Sequence, residues 1–122
     1  MARRIAVLAQ DLIWADRLAR AVQAADATPL PAATLAQFER ALVGTDHAIV
    51  DLTARAYDPF AAIGLAVAAG ARVLVVGQHD DVEQRKTALA RGADKVLAYR
   101  KLFEDGPATI SRWMGPSVEV AT

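Results

Sequence analysis

The chain contains no cysteine, which removes disulfide scaffolds, thiolate nucleophiles and cysteine-ligated metal sites from consideration. It also lacks an excess of either charge. Fourteen basic and fourteen acidic residues leave a net charge of zero, with a pI near 6.7, so nothing draws the whole domain toward nucleic acid or an anionic membrane. On that basis neither is expected as a partner. A long apolar run is missing too: the longest, Phe60 to Ala71, is well short of the ~20 residues a bilayer-spanning helix needs. The opening "MARRIAVLAQ" carries two arginines, but Gln10 and Asp11 cut the apolar stretch behind them too early for a signal sequence. These absences predict a cytoplasmic protein. The 122 residues, 54% hydrophobic and 23% charged, suit one globular domain around one core.

Within that domain the apolar residues are strongly patterned. Four short runs are rich in branched aliphatics: Arg4 to Ala9, His47 to Leu52, Arg72 to Gly77 and Lys95 to Tyr99. Their apolarity is continuous rather than alternating, as in strands of a parallel sheet covered on both faces. Ala27 to Ala32 reads as an edge strand, because its two prolines cannot donate to a ladder.

Helical spacing fills the intervals. Trp14, Leu18 and Val22 recur every fourth residue behind Asp11 as a cap. Thr34 and Gln37 have capping-box spacing ahead of a stripe of Leu35, Phe38 and Leu42 that stops at Gly44. Asp58 and Pro59 open an alanine-rich helix that is apolar nearly all round and is expected to be deeply packed. Asp81 and Gln84 repeat the capping-box spacing before a helix that ends at Gly92 and keeps its basic outer face wet. The last helix is expected to start only after a turn at Asp105 to Pro107, with Ile110, Trp113 and Met114 packed inward. Strand then helix, five times over with short connections, predicts an α/β flavodoxin-like three-layer sandwich with a five-stranded parallel sheet in order 2-1-3-4-5. The domain is read as residues 1–115, with 116–122 a frayed tail.

In such a sheet ligands bind beyond the carboxyl ends of the strands, at the switch point between the first and third. Asp51 closes the third strand and Asp11 follows the first, so both carboxylates are expected at that crevice. The segment "DHAIVDLTARAYDP" and the stretch Arg72 to Phe103, with its acidic turn, amphipathic helix and "GAD" turn into the last strand, resemble the receiver domain of two-component response regulators. The resemblance covers nearly the whole chain and implies that Asp51 stands at the phospho-acceptor position. Receivers add an acidic pair after the first strand to hold Mg²⁺, a Ser or Thr ending the fourth strand, and a Lys ending the fifth. Here, in the register that keeps Trp14, Leu18 and Val22 inward, Ala9 and Gln10 stand at the acidic pair, Gly77 at the hydroxyl and Tyr99 at the lysine. Val96 stands at the aromatic switch position. One carboxylate and a neutral amide are too few hard ligands for Mg²⁺, and charge developing in phosphoryl transfer would lack compensation.

The resemblance therefore implies a degenerate member, a pseudo-receiver that is not an enzyme, needs no cofactor or metal, and acts in bacterial signalling by docking another protein or a second copy of itself. The crevice is read as Asp11, Gln10, Gly77 and Tyr99 around Asp51, and the partner or dimer surface as Arg85, Leu89, Lys95 and Arg100, with Tyr99 at its border. Plainer roles stand beside these. Asp51 pairs with Arg55 or caps the next segment; Asp11 is a helix cap; Trp14 and Trp113 are core residues. His47 and His79 sit at opposite strand ends, which argues against a two-histidine metal site. Two other functions are weighed: an atypical receiver still phosphorylated on Asp51, and a small-molecule or nucleotide module. The second has no glycine-rich phosphate loop in "AQDLIW" to support it.

Overall fold

Five strands alternate with five helices in the computed structural model: β1 (Arg3–Leu8), α1 (Leu12–Ala24), β2 (Ala27–Ala32), α2 (Leu35–Leu42), β3 (His47–Asp51), α3 (Pro59–Ala68), β4 (Arg72–Gly77), α4 (Val82–Ala90), β5 (Lys95–Ala98) and α5 (Tyr99–Met114). The structure describes residues 3–78 and 80–115, so the reading of His79 and the fraying of 116–122 lie outside the described residues. All strand pairs are parallel and the sheet runs β2-β1-β3-β4-β5, the order expected from the sequence.

The continuous apolar runs arise because strand side chains alternate between two covered faces. Ala6, Leu8, Ala48, Val50, Val73 and Val75 meet Phe38, Leu42, Ile63 and Ala88 from α2, α3 and α4. Their sequence neighbours Ile5, Val7, Ile49, Leu74 and Val76 meet Leu18, Val22, Ile110 and Trp113 from α1 and α5. Every residue of β3 is buried, and each fully buried aliphatic contributes roughly 1.5–3 kcal/mol. At the edge, the Ala32 carbonyl accepts from Ala9 N at 3.0 Å. Alternation then turns Pro29 and Pro31 to the open side, where a missing N–H costs nothing.

The caps follow their chemistry. Asp11 accepts from Ile13 N and Trp14 N at 2.8 and 3.1 Å, Asp58 from Phe60 N at 2.9 Å and Asp81 from Gln84 N at 3.0 Å. Thr34 accepts from Gln37 N at 3.1 Å, while the Gln37 side chain returns to Ala33 N at 2.8 Å. The second expected box is half-made: the Gln84 amide leaves its own helix and donates to the Leu52 carbonyl at 2.9 Å.

Two expectations are corrected. α3 buries only Ala62, Ile63 and Ala66 and leaves Val67 44% exposed, because an outer-layer helix meets the sheet with one face only. α5 starts at Tyr99, before the expected turn, and β5 ends at Ala98. The segment "YRKLFE" is made largely of good helix formers and carries the Arg100–Glu104 pair at helical spacing, with Lys101 reaching Asp105 just beyond it. The turn survives as a kink at Asp105 (φ −150°, ψ 32°), which lets the chain restart with Pro107 in the new first turn. No helix among the described residues is long and apolar enough to cross a membrane.

Candidate functional site

Beyond the carboxyl ends of β1 and β3 opens a crevice of about 630 Å³, its walls including Gln10, Asp11, Trp14, Asp51, Thr53 and Tyr99. Asp51 lies at its base, 1% exposed. Its Oδ1 accepts from the Thr53 backbone N–H at 3.0 Å and the Thr53 hydroxyl at 2.9 Å, an Asx turn that reverses the chain leaving β3. The Tyr99 hydroxyl donates to the same oxygen. Oδ2 is buried without a partner.

Tyr99 reaches Asp51 because β5 stops one residue short of it, and its ring is fixed against Trp14, with centroids 4.1 Å apart. Burial, with the Asp51 carboxylate beside it, holds the Tyr99 phenol well above the usual tyrosine range. Beneath the crevice, Tyr57 donates to the carbonyls of Leu8 and Asp51 at 3.2 and 2.8 Å. It ties the ends of β1 and β3 together, and burial followed by the Asp51 charge raises its phenol as well.

The other expected residues divide. Gln10 is at the rim, but its Oε1 is spent on Arg55 N and Ala56 N at 2.8 and 3.0 Å, which holds the loop after β3. Asp11 lines the crevice while capping α1. Gly77 is not in the crevice: it is buried under Leu52, whose Cδ1 would stand 3.2 Å from an added Cβ, and Gln78 lines the wall instead. A hydroxyl-bearing residue at 77 would meet that leucine. Arg55 forms no ion pair with Asp51 among the described residues; what reaches Asp51 is Thr53 and Tyr99. Trp14 is half-buried, packed against the core on one side and walling the crevice on the other, whereas Trp113 is wholly core as expected.

On the expected partner surface Leu89, Lys95 and Arg100 are exposed, Arg100 beside Glu104 at 3.4 Å. Arg85 is half-buried with its Nε shielded and unpartnered, and the Tyr99 hydroxyl faces the crevice. Thr53, Tyr57 and Gln78 were not singled out from sequence. Of these only Thr53 carries a local signal, a hydroxyl two residues after an Asp.

The donor set does not suit the Mg²⁺ that receiver folds imply. Among the described residues Asp51 is the one buried carboxylate, Asp11 gives one oxygen to backbone N–H groups and Gln10 gives its oxygen to the loop, and a hard divalent cation wants several oxygens free at once. Among the described residues no group of three or more His, Asp and Glu is gathered for a metal.

This sheet order with a crevice over an aspartate-terminated β3 defines a receiver-type flavodoxin-like domain, and solved structures agree. The chain is similar to the BeF3-activated receiver domain of DrrB from Thermotoga maritima, at 16% identity over 95% of this chain and 100% of that one, with TM-score 0.81. It is similar to a CheY-like receiver domain protein from Methanospirillum hungatei at 16% identity, 93% and 98% coverage and TM-score 0.72. A protein of Burkholderia pseudomallei provisionally assigned to pilus assembly matches at 21% identity, 90% and 87% coverage and TM-score 0.72. The fold is therefore that of response-regulator receivers. No family model matches the sequence, and no curated protein matches it.

Proposed function

We propose that the domain is a pseudo-receiver: a non-catalytic, cytoplasmic module that regulates a signalling partner by protein docking and does not run a phosphotransfer cycle. The observation that carries this reading is the Tyr99 hydroxyl on Asp51, at the position where the resemblance puts a lysine. A phenol held protonated donates one hydrogen bond but supplies no positive charge, and catalysis of phosphoryl transfer is chiefly charge stabilisation. The tyrosine also occupies the space over the carboxylate. The docking surface proposed from sequence, Arg85, Leu89, Lys95 and Arg100, lies on α4, β5 and the start of α5.

The unpartnered Oδ2 of Asp51 favours a second reading, an atypical receiver in which Tyr99 swings away and Asp51 accepts a phosphoryl group. Amide NMR titration with Mg²⁺ and then beryllofluoride, on wild type and Asp51→Asn, separates the two. The pseudo-receiver gives unchanged spectra. Shifts around Asp11, Asp51 and Gly77 that disappear in Asp51→Asn would overturn it in favour of a working acceptor.

A further inference from the structure

α1 and α5 meet at Gly106, where an added Cβ would lie 3.5 Å from Ala21 Cβ of α1 and 3.0 Å from Leu102 Cδ1 of its own helix. Beside that contact runs an apolar groove of about 320 Å³ with Ala21 and Leu102 in its lining, Trp14 and Phe103 beside them, and Arg17 and Arg20 among its residues. Phe103 is 72% exposed, a large aromatic left in water next to a hollow. The Arg17 guanidinium is held 5.0 Å from the Trp14 ring centroid and 5.2 Å from that of Phe103. Arg20 in the same groove, and Arg100 and Lys101 on α5, are each paired with a carboxylate. Arg17 has no ion-pair partner among the described residues, so the groove carries one oriented, uncompensated cation.

On the opposite helical layer, α4 opens with Asp80, Asp81, Val82 and Glu83, all exposed. Val82 is 54% exposed, and none of the three carboxylates around it is ion-paired among the described residues. An apolar knob in an acidic collar thus stands on one face, and an apolar hole with a free arginine on another. Another hollow, between α2 and α3, is lined by Leu42, Val43 and Leu65 but carries Glu39, the wrong sign for such a knob.

We propose that the chain self-associates head to tail, with Val82 of one copy seated in the α1–α5 groove of the next and the acidic collar set against Arg17. Knob and groove lie on different layers, so the contact is heterologous and leaves a free groove and a free knob at the ends of every assembly that does not close into a ring. One side chain in one groove makes a weak contact, visible at high protein concentration and weakened by salt.

Sedimentation velocity of the full chain over a concentration series tests this. Wild type shows a sedimentation coefficient that rises with concentration and falls back in high salt. Arg17→Glu lacks a working groove and Val82→Asp a working knob, so each alone remains monomeric. An equimolar mixture of the two forms a species of two chains and nothing larger, because only one productive contact can be made. A monomeric wild type, single variants that still associate, or a mixture that stays monomeric would each overturn the proposal. Both positions are exposed; if circular dichroism shows either variant unfolded, Arg17→Gln and Val82→Ser take their places with the same expected outcomes. Neither residue touches Asp51, so failure here is distinct from failure of the pseudo-receiver reading, which the beryllofluoride titration decides.

Discussion

His47 at the start of β3 and Asp51 at its end are both buried, and each has one side-chain atom without a partner, Nε2 and Oδ2 respectively. Their surroundings differ. Around His47 the ring itself is covered, although Arg72, Asp94 and Trp113 line a hollow of about 410 Å³ beside it: Trp113 meets the imidazole edge-on with ring centroids 4.9 Å apart. The Trp113 Nε1–H donates to Asp94 at 3.0 Å, and Asp94 also accepts from Arg72 at 3.0 Å. Arg3 caps α5 by donating to the carbonyls of Met114 and Gly115. Around Asp51 the polar groups point toward a crevice of about 630 Å³. One end of the strand spends its polar chemistry on holding α5 to the sheet; the other keeps a buried anion at the floor of an open site. The orphan at the closed end is a neutral ring nitrogen, a modest penalty, whereas the orphan at the open end belongs to a carboxylate, whose burial costs far more.

Substitutions can break this contrast. The largest loss is expected at the closed end, where Trp113→Ala removes a buried indole and leaves Asp94 one donor short, costing about 3–5 kcal/mol. Urea unfolding measures it, and a loss near zero would mean that α5 is held elsewhere. At the open end stability and occupancy are expected to separate. Tyr99→Phe removes a hydrogen bond to a charged acceptor, about 1.5–3 kcal/mol in wild type. The same change in an Asp51→Asn background costs only about 0.5–1.5 kcal/mol, since the acceptor is then neutral. Asp51→Asn by itself is expected within about 1 kcal/mol of wild type, because a hydrogen bond is weakened while a buried charge is removed. The double-mutant cycle yields the charge-dependent part of the contact; additive effects would mean that the Asp51 charge adds nothing to its hydrogen bond with Tyr99.

Most of the frame was legible in the sequence because its signals are local or periodic. Strands buried on two faces write unbroken aliphatic runs, and Asp11, Thr34, Asp58 and Asp81 cap helices through bonds to backbone two or three residues away. Asp51 was legible because a carboxylate ending an inner strand contradicts the run before it. The parts that escaped depend on contacts remote along the chain. Whether Gln84 completes its own cap or crosses to Leu52, and whether Tyr99 ends a strand or starts a helix that turns its hydroxyl to Asp51, is decided by tertiary packing. Gly77 was misplaced for a related reason. Leu52, remote along the chain, fills the space in front of it.

The smallest expected effect is a dependence on pH that differs between the two ends. Burial, reinforced by Arg3 and Arg72, holds the His47 imidazole below its ordinary range, against a smaller opposing pull from Asp46 and Asp94. Below about pH 6.5 the imidazole of the unfolded chain takes up a proton that the folded one resists. The unfolded state then binds more protons, and stability falls as the pH falls through that value. His47→Gln removes this term, so the urea midpoint of the variant should change less than that of wild type between about pH 7.5 and about pH 5. Tyr99 acts at the other limit. Its raised phenol stays protonated in the folded state when the unfolded one ionises, so stability is lost as the pH climbs past about 10, and Tyr99→Phe makes that alkaline loss shallower. If His47→Gln left the acid limb unchanged, the imidazole would be taking its proton in the folded state too, and the closed end of β3 would be open to water like the other.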